Sequence, residues 1–231
     1  MTALFPAKTY PVLPVKGETG TYPIARIFCV GQNYADHAIE MGSAVDQEAP
    51  FFFMKDAQSY VPSGATLPIA PGTENLHYEM ELYLVLGAPL FRASPDEAEA
   101  AIWGYGCALD MTRRDLQGEA KKKGRPWDFG KNFEQSAVMG PVTRAADLGP
   151  VADQRIWLRL DGEVRQDSTL AHMARGPAEL LSYLSRFYHL EPGDVVMTGT
   201  PAGIGPVAEG SHIEGGIDGL EGVSLRYTAA E

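Results

Sequence analysis

An α+β fold built on a rolled sheet, with a few short helices, is the fold class that the sequence predicts. The chain has 231 residues that include 25 Gly and 17 Pro, and so many turn formers favour short elements over a helical bundle. Short apolar runs with strand periodicity are mixed with a few segments of helical spacing. With 45% hydrophobic residues, the chain can build a core, so global disorder is not expected.

Strands are predicted wherever a short apolar run is bounded by turn formers. The clearest covers residues 77–86, where the even-numbered positions are apolar and the odd-numbered ones include His77, Glu79 and Glu81. Successive side chains of a strand point to opposite faces, so the two glutamates share a face. The predicted strands are residues 26–30, 51–54, 77–86, 105–111, 156–160, 195–198 and 223–227.

Helices are predicted from capping residues and from helical spacing of apolar side chains. Ser94 suits an N-cap, with Pro95 at the first helical position and Glu97 completing a capping box. Gly42 would stop the first helix. The predicted helices are residues 34–41, from Ser94 to about residue 103, from an N-cap at Thr112 to about residue 122, and the amphipathic segment 177–189.

The predicted domain organisation is a short arm followed by one catalytic domain. Residues 1–23 are rich in proline and lack periodicity, which predicts an irregular arm, and residues 24–231 form the domain. We find no internal repeat. No signal peptide or long apolar run is visible, so a soluble, cytoplasmic protein without membrane contact is expected.

Charge and cysteine content restrict the function classes. The net charge of −11, from 19 basic and 30 acidic residues, would repel a phosphate backbone, so no nucleic-acid partner is expected. The basic run at residues 121–125 is typical of a solvated helix end. Cys29 and Cys107 lie in apolar surroundings and are interpreted as buried free thiols.

A candidate metal site begins with Glu79 and Glu81. On a strand their Cα atoms lie about 7 Å apart on one face, so the carboxylates can share a hard cation or can decorate a solvated face. Asp110 ends an apolar stretch, and a buried aspartate needs a partner. It could cap the following helix, pair with Arg113 or Arg114, or complete an all-oxygen magnesium site.

A candidate base is His37, three residues before Glu40 in a segment compatible with a helix. Side chains at this spacing touch, and a carboxylate on one imidazole nitrogen raises the basicity of the other. The alternative is that His37 and Glu40 form a pair on the helix surface that has no function. An all-oxygen ligand set without cysteine favours magnesium over zinc. No site role is assigned to the remaining histidines, His77, His172, His189 and His212.

Five sequence blocks occur together in one order and spacing. They are CVGQNYADH (29–37), HYEMEL (77–82), DMTRRDLQ (110–117), GKNF (130–133) and GDVVMTGTPAG (193–203). On these blocks the chain resembles the fumarylacetoacetate hydrolase family over roughly residues 24–228, and within it the short bacterial acylpyruvate hydrolases. The resemblance implies the family's mixed β-roll and a homodimer.

The resemblance also implies an activity and a set of site residues. The expected reaction is the metal-dependent hydrolysis of a C–C bond in a small 2,4-diketo acid, with fumarylpyruvate giving fumarate and pyruvate. The residues implied are Glu79, Glu81 and Asp110 for Mg²⁺ or Mn²⁺; His37, Glu40 and Lys131 for catalysis; and Arg114, Gln117, Thr200 and Lys55 for substrate binding.

Two departures from the family pattern and three rival functions stay open at this stage. Gln32 stands where many relatives have arginine, and Asp56 follows Lys55 where proline or serine is common. The nearest rival is decarboxylation or tautomerisation of oxaloacetate on the same scaffold. The family's isomerase/decarboxylase branch ranks lower because its members are commonly tandem duplications. A non-catalytic metal-binding module would not need His37, Glu40 or Lys131.

Overall fold

The computed structural model describes residues 4–42, 44–46 and 48–231. The strands are β1 (Val12–Pro14), β2 (Thr21–Pro23), β3 (Arg26–Gly31), β4 (Phe51–Lys55), β5 (Tyr60–Pro62), β6 (Ala65–Pro68), β7 (Leu76–Tyr78), β8 (Met80–Leu86), β9 (Ile102–Asp110), β10 (Thr112–Arg113), β11 (Ala137–Met139), β12 (Thr143–Arg144), β13 (Arg155–Leu160), β14 (Glu163–Thr169), β15 (Asp194–Met197), β16 (Gly205–Pro206), β17 (His212–Ile217) and β18 (Val223–Thr228). The helices are α1 (Ala35–Glu40), α2 (Pro95–Ala101), α3 (Arg114–Lys122), α4 (Asp128–Lys131), α5 (Ala145–Leu148) and α6 (Pro177–Leu184), with 3-10 turns at Ala57–Ser59 and Leu170–His172.

Two mixed sheets form the body of the protein. The larger runs in the order β4-β3-β15-β8-β9-β11-β5, with β12 also paired to β9, and it curls into a half-barrel. The smaller runs β14-β13-β17-β18-β6, and a short sheet β10-β7-β16 lies beside the two. Parallel pairs such as β3 with β15 occur next to antiparallel pairs such as β8 with β9. The predicted α+β fold, a mixed β-roll with few short helices, is confirmed.

Strand β8 lies at the centre of the large sheet and is buried on both faces. Its even-numbered side chains, such as Leu82 and Leu84, belong to the main core. Tyr83 and Val85 point the other way, into a second core. Each fully buried leucine contributes roughly 1.5–3 kcal/mol relative to an exposed one, so β8 is a rigid platform for the residues at its start.

The second core is closed by residues 12–24. Strands β1 and β2 pair into a hairpin, and Leu13 and Tyr22 are buried against the sheet. The hydroxyl of Tyr22 donates to the carbonyl oxygen of Leu86 at 2.8 Å and accepts from the N–H of Gly193 at 2.6 Å. The prediction of an irregular arm is therefore wrong for residues 12–23, because apolar side chains on alternate positions bury this hairpin.

Other predicted elements differ from the structure at their ends. The strand predicted over 77–86 breaks at Glu79, because β7 pairs with β10 and β16 whereas β8 pairs with β9 and β15. Thr112 belongs to β10 and does not cap α3. The helix predicted over 177–189 ends at Leu184. The capping box of Ser94 and Glu97 on α2 is confirmed.

Both cysteines are free and fully buried, as predicted. Within the described residues, no helix has the length and the apolar character that crossing a membrane requires.

Candidate active site and metal centre

Three carboxylates converge where β8 and β9 meet. Glu79 lies in the break between β7 and β8, Glu81 follows on β8, and Asp110 ends β9. The backbone N–H of Asp110 donates to the carbonyl oxygen of Glu79 at 2.9 Å, which places the end of β9 beside that break. One carboxylate oxygen from each residue lies within 4.8 Å of the other two, and all three residues are buried. The structure thus brings the predicted acidic cluster together.

Buried cations surround this cluster. The ammonium of Lys131 donates to Oε2 of Glu79 at 2.6 Å and to Oδ2 of Asp110 at 2.8 Å. The ammonium of Lys55 lies 2.9 Å from Oδ1 of Asp110, and the guanidinium of Arg114 donates to Glu79. Asp110 therefore pairs with Lys55 and Lys131, two partners that the sequence analysis did not consider, and it also lies in the acidic cluster predicted as a magnesium site. Paired in this way, two carboxylates can stay charged in the interior.

Glu81 has a different environment. Its Oε2 accepts a hydrogen bond of 2.8 Å from the N–H of Gly199, and no ion pair joins it to a cation in the described part of the chain. Burial, together with the charges of Asp110 and Glu79, raises the pKa of Glu81 well above its usual range. Burial is also the largest single influence on Glu79 and acts in the same direction, but the charges of Lys131 and Arg114, with the hydrogen bond from Lys131, together outweigh it and lower the pKa of Glu79.

This donor set fits a hard divalent cation. Mg²⁺ and Mn²⁺ prefer carboxylate oxygens, and three carboxylates with oxygens within 4.8 Å of one another could share one such cation. A divalent cation there would add the positive charge that Glu81 lacks and would keep its carboxyl group ionised.

The histidine dyad is formed on α1. Nδ1 of His37 lies 3.0 Å from Oε2 of Glu40, and the other carboxylate oxygen of Glu40 accepts from the N–H of Gly203 at 3.1 Å. His37 is buried and lines the same cleft as Glu79 and Glu81. The Glu40 carboxylate therefore fixes the imidazole from behind while the ring borders the acidic cluster.

Asn33 joins the turn before α1 to the turn after β15. Its side-chain N–H₂ donates to the carbonyl oxygens of Thr198 at 2.9 Å and Arg175 at 3.0 Å. Gly199 adopts a φ of +92°, and a Cβ there would lie 3.0 Å from the Cβ of Asn33. Glycine is required here so that the backbone N–H can reach Glu81.

The helices α3 and α4 supply three further predicted residues. Arg114 and Gln117 come from α3, and Lys131 ends α4. A Cβ on Gly130 would lie 2.8 Å from the backbone nitrogen of Gln117, so the two helices approach closely only with glycine at that position. Nη1 of Arg114 donates to the side-chain oxygen of Gln117 at 2.6 Å. All three side chains line the cleft.

Thr200 also lines the cleft, and a residue that sequence reasoning missed holds it there. Buried Gln166 on β14 donates to the hydroxyl of Thr200 at 2.8 Å and accepts from the N–H of Met80 at 3.0 Å. Gln166 thereby connects the smaller sheet to β8 at Met80 and to the turn that contains Thr200. No sequence signal marked Gln166, because its neighbours in β14 are polar and exposed.

Lys55 does not border the cleft with the other predicted substrate residues. Its side chain is fully buried behind the cluster, where it also donates to the carbonyl oxygen of Met111 at 3.2 Å. Asp56 accepts from the N–H of Gln58 at 2.7 Å and caps the 3-10 turn that follows. Gln32 lines the cleft with a φ of +59°.

The remaining wall of the cleft contains residues that the sequence reasoning did not select. They include Met41, Phe53, Lys121 and Trp127. The Trp127 ring lies 5.9 Å from the Phe53 ring, centroid to centroid, and forms an aromatic side of the cleft. The only signal for Lys121 was its place in the basic run.

Comparison with known proteins places the chain in a family. Residues 26–225 match the family described as fumarylacetoacetate (FAA) hydrolase C-terminal. The chain belongs to the fumarylacetoacetate hydrolase family. A fumarylpyruvate hydrolase from Ralstonia is 44% identical over 83% of this chain and 100% of its own length. The human mitochondrial oxaloacetate tautomerase FAHD1 is 40% identical over 89% of this chain and 92% of its own.

A solved structure of high similarity agrees with this assignment. The crystal structure of fumarylpyruvate hydrolase from Pseudomonas aeruginosa, in complex with Mn²⁺ and pyruvate, superposes with a TM-score of 0.95 at 44% identity. The match covers 99% of this chain and 100% of that one.

Proposed function

We propose that this protein is a divalent-metal-dependent hydrolase of acylpyruvates, with fumarylpyruvate as its preferred substrate and fumarate and pyruvate as products. The observation that carries the proposal is the His37–Glu40 pair beside three buried carboxylates in one cleft. A relative with 44% identity is named for this reaction, and a second was crystallised with Mn²⁺ and pyruvate.

Glu79, Glu81 and Asp110 would hold Mg²⁺ or Mn²⁺. Such a cation, when bound, supplies Lewis acidity for a carboxylate with an adjacent 2-oxo group and for negative charge developing on that oxygen. The neighbouring side chains Arg114, Gln117 and Thr200 present donors to the same cleft and would orient the pyruvyl end.

His37 would take a proton from water as the water oxygen bonds to the distal carbonyl carbon of the substrate. The bond between that carbon and the pyruvyl methylene then breaks, and its electron pair stays with the pyruvate enolate, which is protonated on carbon. Glu40 stabilises the imidazolium that forms on His37. The Lys131 ammonium, 3% exposed, would stabilise negative charge on oxygen, an effect of several kcal/mol in a dry site.

Turnover measurements over fumarylpyruvate, acetylpyruvate, fumarylacetoacetate and oxaloacetate, with Mg²⁺ or Mn²⁺ present, test the proposal. Release of pyruvate is expected to be fastest from fumarylpyruvate. Absence of turnover on every 2,4-diketo acid in the metal-loaded protein would reject the hydrolase and support a non-catalytic metal-binding module.

A second candidate is oxaloacetate tautomerisation or decarboxylation. It is favoured by relatives of about 40% identity from human and Escherichia coli that carry the name oxaloacetate tautomerase. These reactions need the cation and the enolate but no attacking water, so they do not need His37 as a base for water. Enol–keto conversion and pyruvate release from oxaloacetate, measured beside fumarylpyruvate hydrolysis, separate the two candidates.

The proposed state in the cell is a cytoplasmic homodimer with a small-molecule substrate. The support is the family assignment together with the absence of a candidate membrane-spanning helix in the described ranges. Light scattering coupled to gel filtration tests the dimer directly: a mass near twice 25.0 kDa is expected, and a monomer contradicts it.

A further inference from the structure

The basic run at the end of α3 borders the cleft. Lys121 lies in the last turn of α3, and its side chain lines the cleft together with His37 and Trp127. Lys122 and Arg125 are exposed beside it. Because the whole chain carries a net charge of −11, this run is a local reversal of charge next to the site, and such a patch attracts anions.

Lys121 differs from the other cations of the cleft wall. Arg114 and Lys131 are buried at the acidic cluster, where both donate to Glu79. Lys121 is exposed, and in the described part of the chain its ammonium has one hydrogen bond, to the carbonyl oxygen of Met41 at 3.3 Å, and no ion pair. An ammonium has three N–H donors, so two remain for an anion.

The position of Lys121 along the cleft gives its charge a specific use. The acidic cluster is buried at the floor, whereas Lys121 is exposed at the rim, beside the residue that follows α1. An acylpyruvate with its pyruvyl end on the cluster would extend its acyl group away from the buried floor, toward the exposed wall that contains Lys121. Gln32, also in the wall, carries no charge.

We propose that Lys121 binds the terminal carboxylate of the acyl group, and so selects acylpyruvates that end in a carboxylate over those that end in a methyl group. The inference rests on the proposed function. Lys121 would act on the substrate directly, and its bond to Met41 would hold the ammonium at the rim.

The test compares two substrates across matched variants. Lys121→Gln is expected to lower the ratio of kcat/KM for fumarylpyruvate to that for acetylpyruvate by about tenfold or more, mostly through KM, because a charge-assisted hydrogen bond is lost. Lys121→Arg keeps the charge and should retain most of the ratio. Lys122→Gln, which removes the same charge one residue away and outside the cleft, should leave the ratio unchanged.

Salt dependence gives a second measurement. The ratio should fall with ionic strength in the wild type, because the rim is exposed to solvent, and should be nearly insensitive to salt in Lys121→Gln. Thermal unfolding of each variant verifies that it is folded.

Three results overturn the inference. One is an unchanged ratio in Lys121→Gln. If kcat/KM falls equally on both substrates, the ratio is also unchanged, and Lys121 would then only hold α1 in place through Met41. Another is an equal fall of the ratio in Lys122→Gln, which would mean that the general positive charge of the basic run, and not a contact with Lys121, selects the substrate. If the wild type releases pyruvate from neither substrate, the proposed function itself fails and removes the basis of the inference.

Discussion

The replacement Glu40→Gln tests the dyad with the smallest change in shape. The carboxylate lies 3.0 Å from Nδ1 of His37 and also accepts from the N–H of Gly203. An amide has one acceptor oxygen, so glutamine cannot accept from the Nδ1–H of His37 and from the N–H of Gly203 on separate oxygens, as the carboxylate does. It also removes the negative charge that faces the imidazolium formed when His37 takes a proton from water.

The size of the effect follows from the distance and the exposure. Two unit charges 3.0 Å apart interact by ~1.4 kcal/mol in bulk water and by ~5.5 kcal/mol at an effective dielectric constant of ~20. The Glu40 side chain is 32% exposed, so the lower part of that range applies, about 1.4–2.8 kcal/mol. Converted to a rate, kcat should fall ~10- to ~100-fold.

The assay is steady-state release of pyruvate from fumarylpyruvate, coupled to lactate dehydrogenase, with saturating Mn²⁺. Asp36→Asn is the matched control, because it removes one negative charge from an exposed position on the same helix. A kcat for Glu40→Gln within about twofold of wild type, or an equal loss in Asp36→Asn, would refute the reasoning, since a twofold change is only ~0.4 kcal/mol.

Further outcomes are expected at the base, at the cluster and in the second core. His37→Ala should lose at least ~100-fold in kcat while calorimetry still detects Mn²⁺ binding; turnover near that of the wild type would remove His37 from the mechanism. Glu81→Ala should weaken Mn²⁺ binding by at least ~tenfold, because this loss is typical even of residues that only hydrogen-bond to a metal ligand. An unchanged binding isotherm would contradict the role of Glu81 as a ligand. Tyr22→Phe should cost ~1–3 kcal/mol in urea unfolding, because the N–H groups of Gly193 and Leu86 lose their acceptor. Burial raises the pKa of Tyr22 from 10.0 to about 12. The free energy of unfolding of the wild type should therefore fall as the pH rises from 10.0 to about 12, and it should fall less in Tyr22→Phe. Equal pH dependence in the two proteins would show that Tyr22 does not contribute.

The spacing of residues along the chain was sufficient to predict contacts between residues that are close in sequence. The His37–Glu40 contact follows from a separation of three on a helix, and the box of Ser94 and Glu97 follows from capping geometry. The five ordered blocks of the sequence were sufficient to predict the family and the fold class. The roles of these site residues stay predictions until they are measured.

The burial of Glu79 and Glu81 could not be predicted from their own strand. Alternation along residues 77–86 is typical of a strand with one solvated face, and that face would have carried both glutamates. The structure covers this face with separate segments: the hairpin of β1 and β2 packs at Tyr83 and Val85, whereas Lys131 donates to Glu79 and Gly199 donates to Glu81. All of these segments are distant in the chain, and strand periodicity does not encode which of them will cover a face.

The sequence by itself determined which residue types carry the chemistry, since helical and strand periods control what neighbours along the chain can reach. Only the tertiary structure decided their surroundings. It paired Glu81 with Gly199, 118 residues away; it put Lys55 behind the acidic cluster and Gln166 beneath Thr200; and it brought Lys121 to the rim. These contacts depend on how separate strands and helices pack, and the charge that remains on each group depends on that packing.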